Sequence, residues 1–131
     1  MKQSEASRLL LRKAAQDEAL LDAILANPAV DDEVFGFHAQ QAVEKLLKAW
    51  LAHLNVPYPH IHNLRAIIAL LRESGRHLPP DLSDVDALTP YATIHRYADV
   101  PVAAAFDRAQ VREQVRRLRR FVESQMGLPA P

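Results

Sequence analysis

Cysteine is missing altogether from this 131-residue chain, and glycine occurs only three times. Without thiols there is no disulfide framework and no thiolate chemistry, a usage that suits a reducing cytoplasm. Net charge is missing too: sixteen Lys and Arg balance sixteen Asp and Glu. No overall field therefore draws the molecule towards nucleic acid or anionic lipid, and any charge effect is local. Apolar runs such as "AIIALL" fall far short of the roughly 20 residues of a membrane span. The start, "MKQSEASRLL", has no apolar signal-peptide core, so a cytoplasmic location without membrane attachment is expected.

What is present is a 49% hydrophobic, 24% charged composition, the balance of a single globular domain over residues 1–131 with a frayed tail from about 126. Abundant Ala, Leu, Arg and Glu, with few β-branched residues, favour helix nearly everywhere. The periodicity predicts a first helix from about Ser4 to Ala26, ended by Asn27 and Pro28. A second runs from the "VDDE" segment to about Leu54, with Asp31 or Asp32 as its cap. Asn63 caps a third, closed by Gly75. Residues 82 to 97 form a fourth, with Leu82, Val85, Leu88 and Tyr91 at three-residue steps and a kink or restart at Pro90. A fifth spans about Ala103 to Gln125. Amphipathic helices on short loops read as an all-α, antiparallel up-and-down bundle of four to five helices.

Projected at about 100° per residue, the second helix separates into two faces. Phe35, Ala39, Ala42, Val43, Leu46, Leu47 and Trp50 form the core side; Gln40, Gln41, Glu44, Lys45 and Lys48 form the other. Phe37 and Leu51 interrupt that polar side. Two readings stand: a solvated face laced by helical pairs such as Glu44 with Lys48, or a face that meets another subunit or a ligand.

"FHAQQAVEKLLKAWL", then "HNL" at His62 to Leu64, then "LTPYATIHRYAD" resemble, in order and spacing over about residues 5 to 125, the HEPN domains. These are small helical bundles of bacteria and archaea, often encoded beside a minimal nucleotidyltransferase. The resemblance implies a prokaryotic homodimer with a cleft between the second helix and the "RY" turn. The positions it carries over are Gln41, Glu44, Lys45, Lys48, His62, Arg96, Tyr97 and Asp99. An Arg at a helix end can grip carboxylate or phosphate bidentately, with Asp99 to orient it. Equally, Arg96 and Asp99 can pair with Glu44 or Lys48 and hold the bundle ends together. This chain has "RYAD" where the family commonly has "RYPD", which removes a fixed φ, and Pro101 can take over part of that role.

Many HEPN domains are ribonucleases that use an Arg followed four to six residues later by a His in the last helical region. Here all six histidines lie at or before position 95. The one literal match, Arg72 with His77, spans Gly75 in a turn and reads as chance. His60 and His62, with no carboxylate or thiol beside them in sequence, read as loop and cap residues rather than metal ligands. Arg108, Arg112 and Arg116 recur at four-residue steps with Arg117, Arg119 and Arg120 alongside. With acidic residues interspersed and no aromatic for stacking, this stripe reads as solvated or partner-facing more than nucleic-acid-binding.

The expectation is a nucleotide-binding or partner-binding accessory of a minimal nucleotidyltransferase, within a toxin–antitoxin pair, with no catalytic residue, metal or resident cofactor of its own. The alternatives are a ribonuclease toxin built on Arg96 with His95 or His62, and a purely structural dimerisation module. If Phe37 and Leu51 lie at a two-fold interface, both copies bury them together. Phe37→Glu should then convert dimer to monomer in sedimentation while helical circular dichroism persists; an unchanged dimer removes this face from the interface.

Overall fold

The computed structural model describes residues 2–93 and 106–128, with the backbone alone at 2–4 and 93. Among the described residues there is no strand. The α-helices are α1 (Lys2–Ile24), α2 (Asp32–His53), α3 (Leu64–Glu73) and α4 (Arg108–Gln125), and two stretches of 3₁₀ helix, Pro80–Leu82 and Val85–Thr93, lie between α3 and α4. The fold is all-α, as the composition implies. α1 lies along α2, and α2 occupies the centre, touching α1, α3, α4 and the 3₁₀ segment Val85–Thr93. No helix among the described residues is long and apolar enough to cross a membrane.

Local chemistry sets most of the helix ends. The Asn27 side chain accepts from the backbone N–H of Ala29 at 3.0 Å just before Pro28 prevents helix from continuing. Asn63 caps α3 by accepting from Arg65 N at 3.0 Å and Ala66 N at 3.3 Å. Asp31 holds the cap position of α2 but makes no side-chain cap bond, a correction to the expected role. Asp32 is inside the helix and its carboxylate is taken by Arg108 at 2.7 Å, so neither residue caps the free N–H groups. α4 starts at Arg108 rather than near residue 103, because Asp107, extended at φ −114°, accepts from Gln110 N at 3.1 Å.

A second correction concerns the fourth helix, whose described part is 3₁₀ rather than α. Pro90 has no N–H to give, and a 3₁₀ helix has three residues per turn, so side chains at three-residue steps eclipse into one row. Leu82, Val85, Leu88 and Tyr91 are that row, and all four are buried. The expected continuation through His95, Arg96 and Tyr97 lies outside the described residues. The row rests on α2 where Gly36 makes room for it. A Cβ at Gly36 would stand 2.5 Å from the Tyr91 ring, closer than any side chain tolerates.

The core side of α2 is as the projection places it: Phe35, Ala39, Ala42, Val43, Leu46, Leu47 and Trp50 are all buried. Trp50 meets Phe121 of α4 edge to face, ring centres 5.4 Å apart. Leu51 is the exception to the expected faces. It is fully buried within the chain and offers no surface to a second copy, because α2 is enclosed on more sides than a two-faced projection allows. Trp50→Ala should cost about 3 to 5 kcal/mol of stability through lost burial and the cavity left behind. An unmoved thermal midpoint would mean that this ring carries no core energy.

Candidate functional site

The polar side of α2 folds inward on itself. Glu44, with its side chain only 7% exposed, is the hub. Its Oε1 accepts from Gln40 Nε2 at 3.0 Å and its Oε2 from Lys48 Nζ at 3.0 Å, one turn away on either side. His62 Nδ1 lies 3.0 and 3.1 Å from the two carboxylate oxygens. A carboxylate can only accept, so Nδ1 of His62 carries the proton and a neutral ring presents Nε2 as an acceptor. Gln40 also donates to the backbone carbonyl of His62 at 3.1 Å, and Gln41 donates to Gln40 Oε1 at 2.7 Å. Lys48 lies 5.6 Å from the centre of the Tyr58 ring. Burial pushes the Tyr58 phenol above its ordinary pKa.

A buried ion pair repays its desolvation only when further hydrogen bonds satisfy the remaining lone pairs, and here Gln40 and His62 supply them. The result is a rigid mount. Three members, Gln40, Glu44 and Lys48, are buried, whereas the His62 side chain is 65% exposed. One imidazole is thus held out towards solvent by a buried carboxylate.

Lys45, carried over with this group by sequence, belongs to a different cluster. Its Nζ lies 2.6 Å from Asp17 Oδ2 of α1, and His38 Nδ1 lies 3.2 Å from Asp17 Oδ1. Phe37, half-buried, meets the His38 ring edge to face with centres 5.1 Å apart. Of the residues singled out by sequence, Gln41, Glu44, Lys48 and His62 therefore converge, Lys45 sits apart, and Arg96, Tyr97, Asp99, His95 and Pro101 lie outside the described residues. Gln40, Tyr58, Asp17 and His38 enter the two clusters without having been chosen. Gln40 sits four residues before Glu44, and that spacing was the readable signal. The partners Asp17 and Tyr58 come from other segments and leave no such trace.

Three arginines of the α4 stripe, Arg108, Arg112 and Arg119, face the protein, a correction to the solvated or partner-facing reading for these, whereas Arg117 and Arg120 are exposed and Arg116 pairs with Glu113 of its own helix. Arg108 donates to the carbonyls of Ile24 at 2.8 Å, Asn27 at 3.2 Å and Val30, and to Asp32. Arg112 forks onto Asp22 at 2.6 and 3.2 Å and reaches Glu18 at 3.4 Å. Arg119 binds Glu18 at 2.6 Å and the carbonyl of Leu11 at 2.9 Å. Acidic residues of α1 thus neutralise Arg112 and Arg119. The hydrogen bond from Arg112 holds the Asp22 carboxyl below its ordinary pKa, and the same bond raises that of Arg112. Among the described residues no group of three or more His, Asp or Glu is placed to hold a metal ion.

The model of the HEPN domain family matches residues 7–127. No curated protein and no solved structure matches the chain.

Because the folded-state pKa of Asp22 is lowered, its contribution to stability is present above its unfolded pKa and fades as pH falls through the lower folded value. Asp22→Asn should destabilise the protein at neutral pH by less than about 1 kcal/mol, since an exposed carboxylate is screened by solvent. The difference from wild type should stay constant down to about pH 5 and vanish in stronger acid. Denaturant melts across pH check this, and a difference that grows as the pH falls from about 5 contradicts the linkage.

Proposed function

The chain belongs to the HEPN domain family, and from that premise we propose that it acts as the binding partner of a minimal nucleotidyltransferase, one member of a toxin–antitoxin pair, and that it works as a homodimer. Its role is to engage a nucleotide or the partner enzyme rather than to catalyse a reaction alone. The observation that supports this best is His62, whose ring is 65% exposed while Nδ1 is fixed on a carboxylate 7% exposed. Such a mount holds one hydrogen-bonding edge in a constant position and lowers the ordering cost of meeting a ligand. Gln41 lies on the same polar chain, and Arg96, Tyr97 and Asp99 complete the cleft in this reading. Arg96 is the group suited to a phosphate or carboxylate, because a guanidinium keeps its charge and forks onto two oxygens.

A second reading draws on the same geometry. A histidine oriented by a carboxylate is poised for proton transfer, and with Arg96 beside a scissile phosphate it would cleave RNA. One set of variants separates the two. For the binding subunit, His62→Ala and Arg96→Ala should weaken calorimetric titration with nucleotide or with the nucleotidyltransferase by about tenfold or more each; His62→Ala should also lower the melting temperature, since it takes a donor from the buried Glu44, so the comparison is made below both midpoints. Arg96→Lys should fall between, since it keeps charge and loses the fork. If neither nucleotide nor the nucleotidyltransferase binds the wild-type chain, the binding reading fails. Cleavage of mixed RNA by wild type, abolished by both alanine variants, would replace it with the ribonuclease.

A further inference from the structure

At the other end of α3 lies a second cleft, of about 100 Å³, lined by Ile68, Arg72, Arg76, His77, Leu78 and Ser83. The ten residues of α3 separate it from the His62 end, a distance of about 15 Å at the rise of an α-helix. The backbone explains why residues distant along a helix converge. Gly75, at φ 78°, reverses the chain just after the Ser74 cap. Gly75 N then donates to Arg72 O and Arg76 N to Leu71 O, both at 2.9 Å. This paired closure is a Schellman motif, which folds the residues after a helix back over its last turn. Arg76 and His77 are thereby returned beside Arg72, so the pair dismissed in sequence because it spans a glycine turn is brought together by that turn.

Arg72, Arg76 and His77 are all exposed, and among the described residues neither guanidinium is taken up by an ion pair. Arg65, Arg108, Arg112, Arg116, Arg117 and Arg119 each have a carboxylate within 4.0 Å. Among the described residues no such ion pair forms at the exposed Arg8, Arg12, Arg72, Arg76 or Arg120, and of these Arg72 and Arg76 line one cleft together. Ser83 gives its hydroxyl proton to the Pro80 carbonyl at 2.8 Å, so the side-chain N–H donors lining the cleft are the two guanidinium groups and the imidazole. Ile68 and Leu78 supply apolar walls. The space suffices for about three waters, or for one tetrahedral oxyanion without the molecule attached to it.

We propose that this cleft binds the terminal phosphate of a phosphate monoester, with Arg72 and Arg76 each offering a fork and His77 a further donor. A monoester carries about −1.5 to −2 charge at neutral pH and so matches two guanidinium charges; an internal phosphodiester carries a single charge and leaves one unmatched. The group comes either from a mononucleotide or from the 5′-phosphorylated end of an RNA. The site goes beyond the binding reading above and uses none of its residues.

Nuclear magnetic resonance titration of the full chain with inorganic phosphate, at ionic strength matched with chloride, tests it. Saturable shifts should concentrate in residues 68–83, and the double variant Arg72→Gln, Arg76→Gln should weaken binding by about tenfold or more through loss of charge-assisted hydrogen bonds, with an unchanged melting temperature. His62→Ala should bind phosphate like wild type, which keeps this result independent of the α2 cleft. Adenosine monophosphate binding more tightly than inorganic phosphate would mark a mononucleotide. A 5′-phosphorylated trinucleotide binding more tightly than both, and more tightly than its 5′-hydroxyl counterpart, would mark an RNA end. Shifts that fail to saturate, a double variant that binds as well as wild type, or equal binding of the phosphorylated and hydroxyl trinucleotides would each overturn the proposal.

Discussion

A carboxylate held almost out of water on the central helix sets the terms for one half of this molecule. Glu44 is 7% exposed, and an ion in that position is tolerated only while donors surround it, since removing one partner of a buried pair leaves an uncompensated charge that typically costs 3–5 kcal/mol, as an order of magnitude. Two of its donors, Gln40 and Lys48, come with α2 at no cost in topology. The third, His62, comes from the segment after α2 and has to be brought back. Gln40 fastens the same residue by its backbone carbonyl. Asn63 and α3 follow at once, so the buried oxygen pair and the apolar face of Leu64, Ile67 and Leu71 together hold α3 against α2.

The other half obeys the same rule with the signs arranged differently. Arg112 is buried among Glu18 and Asp22, and Arg119 reaches Glu18 and the Leu11 carbonyl from the next turns. Part of the charge balance of the chain is therefore internal: Glu18 and Asp22 of α1 meet Arg112 and Arg119 of α4. Among the described residues every buried side-chain nitrogen and oxygen has a hydrogen-bond partner.

Much of the helical framework was legible in the residues themselves. The stop at Asn27 and Pro28, the Asn63 cap and the apolar stripe through Trp50 are local signals, each acting within about one turn of helix. The 3₁₀ row was written in the three-residue spacing of Leu82, Val85, Leu88 and Tyr91, but an α-helical period was imposed on it. The candidate site was half legible. Gln41, Glu44, Lys48 and His62 were chosen together, whereas the burial that unites them depends on a loop closing over α2 from eighteen residues away. Helical projection treats a polar residue as facing water, and it has no means of seeing a cover supplied by another segment. For that reason Leu51 reads as an interruption of the polar face, and Arg108, Arg112 and Arg119 read as solvated or partner-facing, although other segments cover them. Lys45 was grouped with neighbours one turn away although its partner, Asp17, belongs to α1.

Arg108 bears on the order in which the protein is made. Its guanidinium holds the carbonyls of Ile24, Asn27 and Val30, in and just beyond the last turn of α1, together with Asp32 at the start of α2. The α1–α2 hairpin is complete in sequence by His53, but the clasp for its turn arrives only with residue 108. At ordinary synthesis rates that interval is roughly 3 to 11 s. During that time the turn is held by its own backbone bonds, Asn27 N to Ile24 O and Val30 N to Asn27 O, so the first hairpin to leave the ribosome waits for the last helix to lock it.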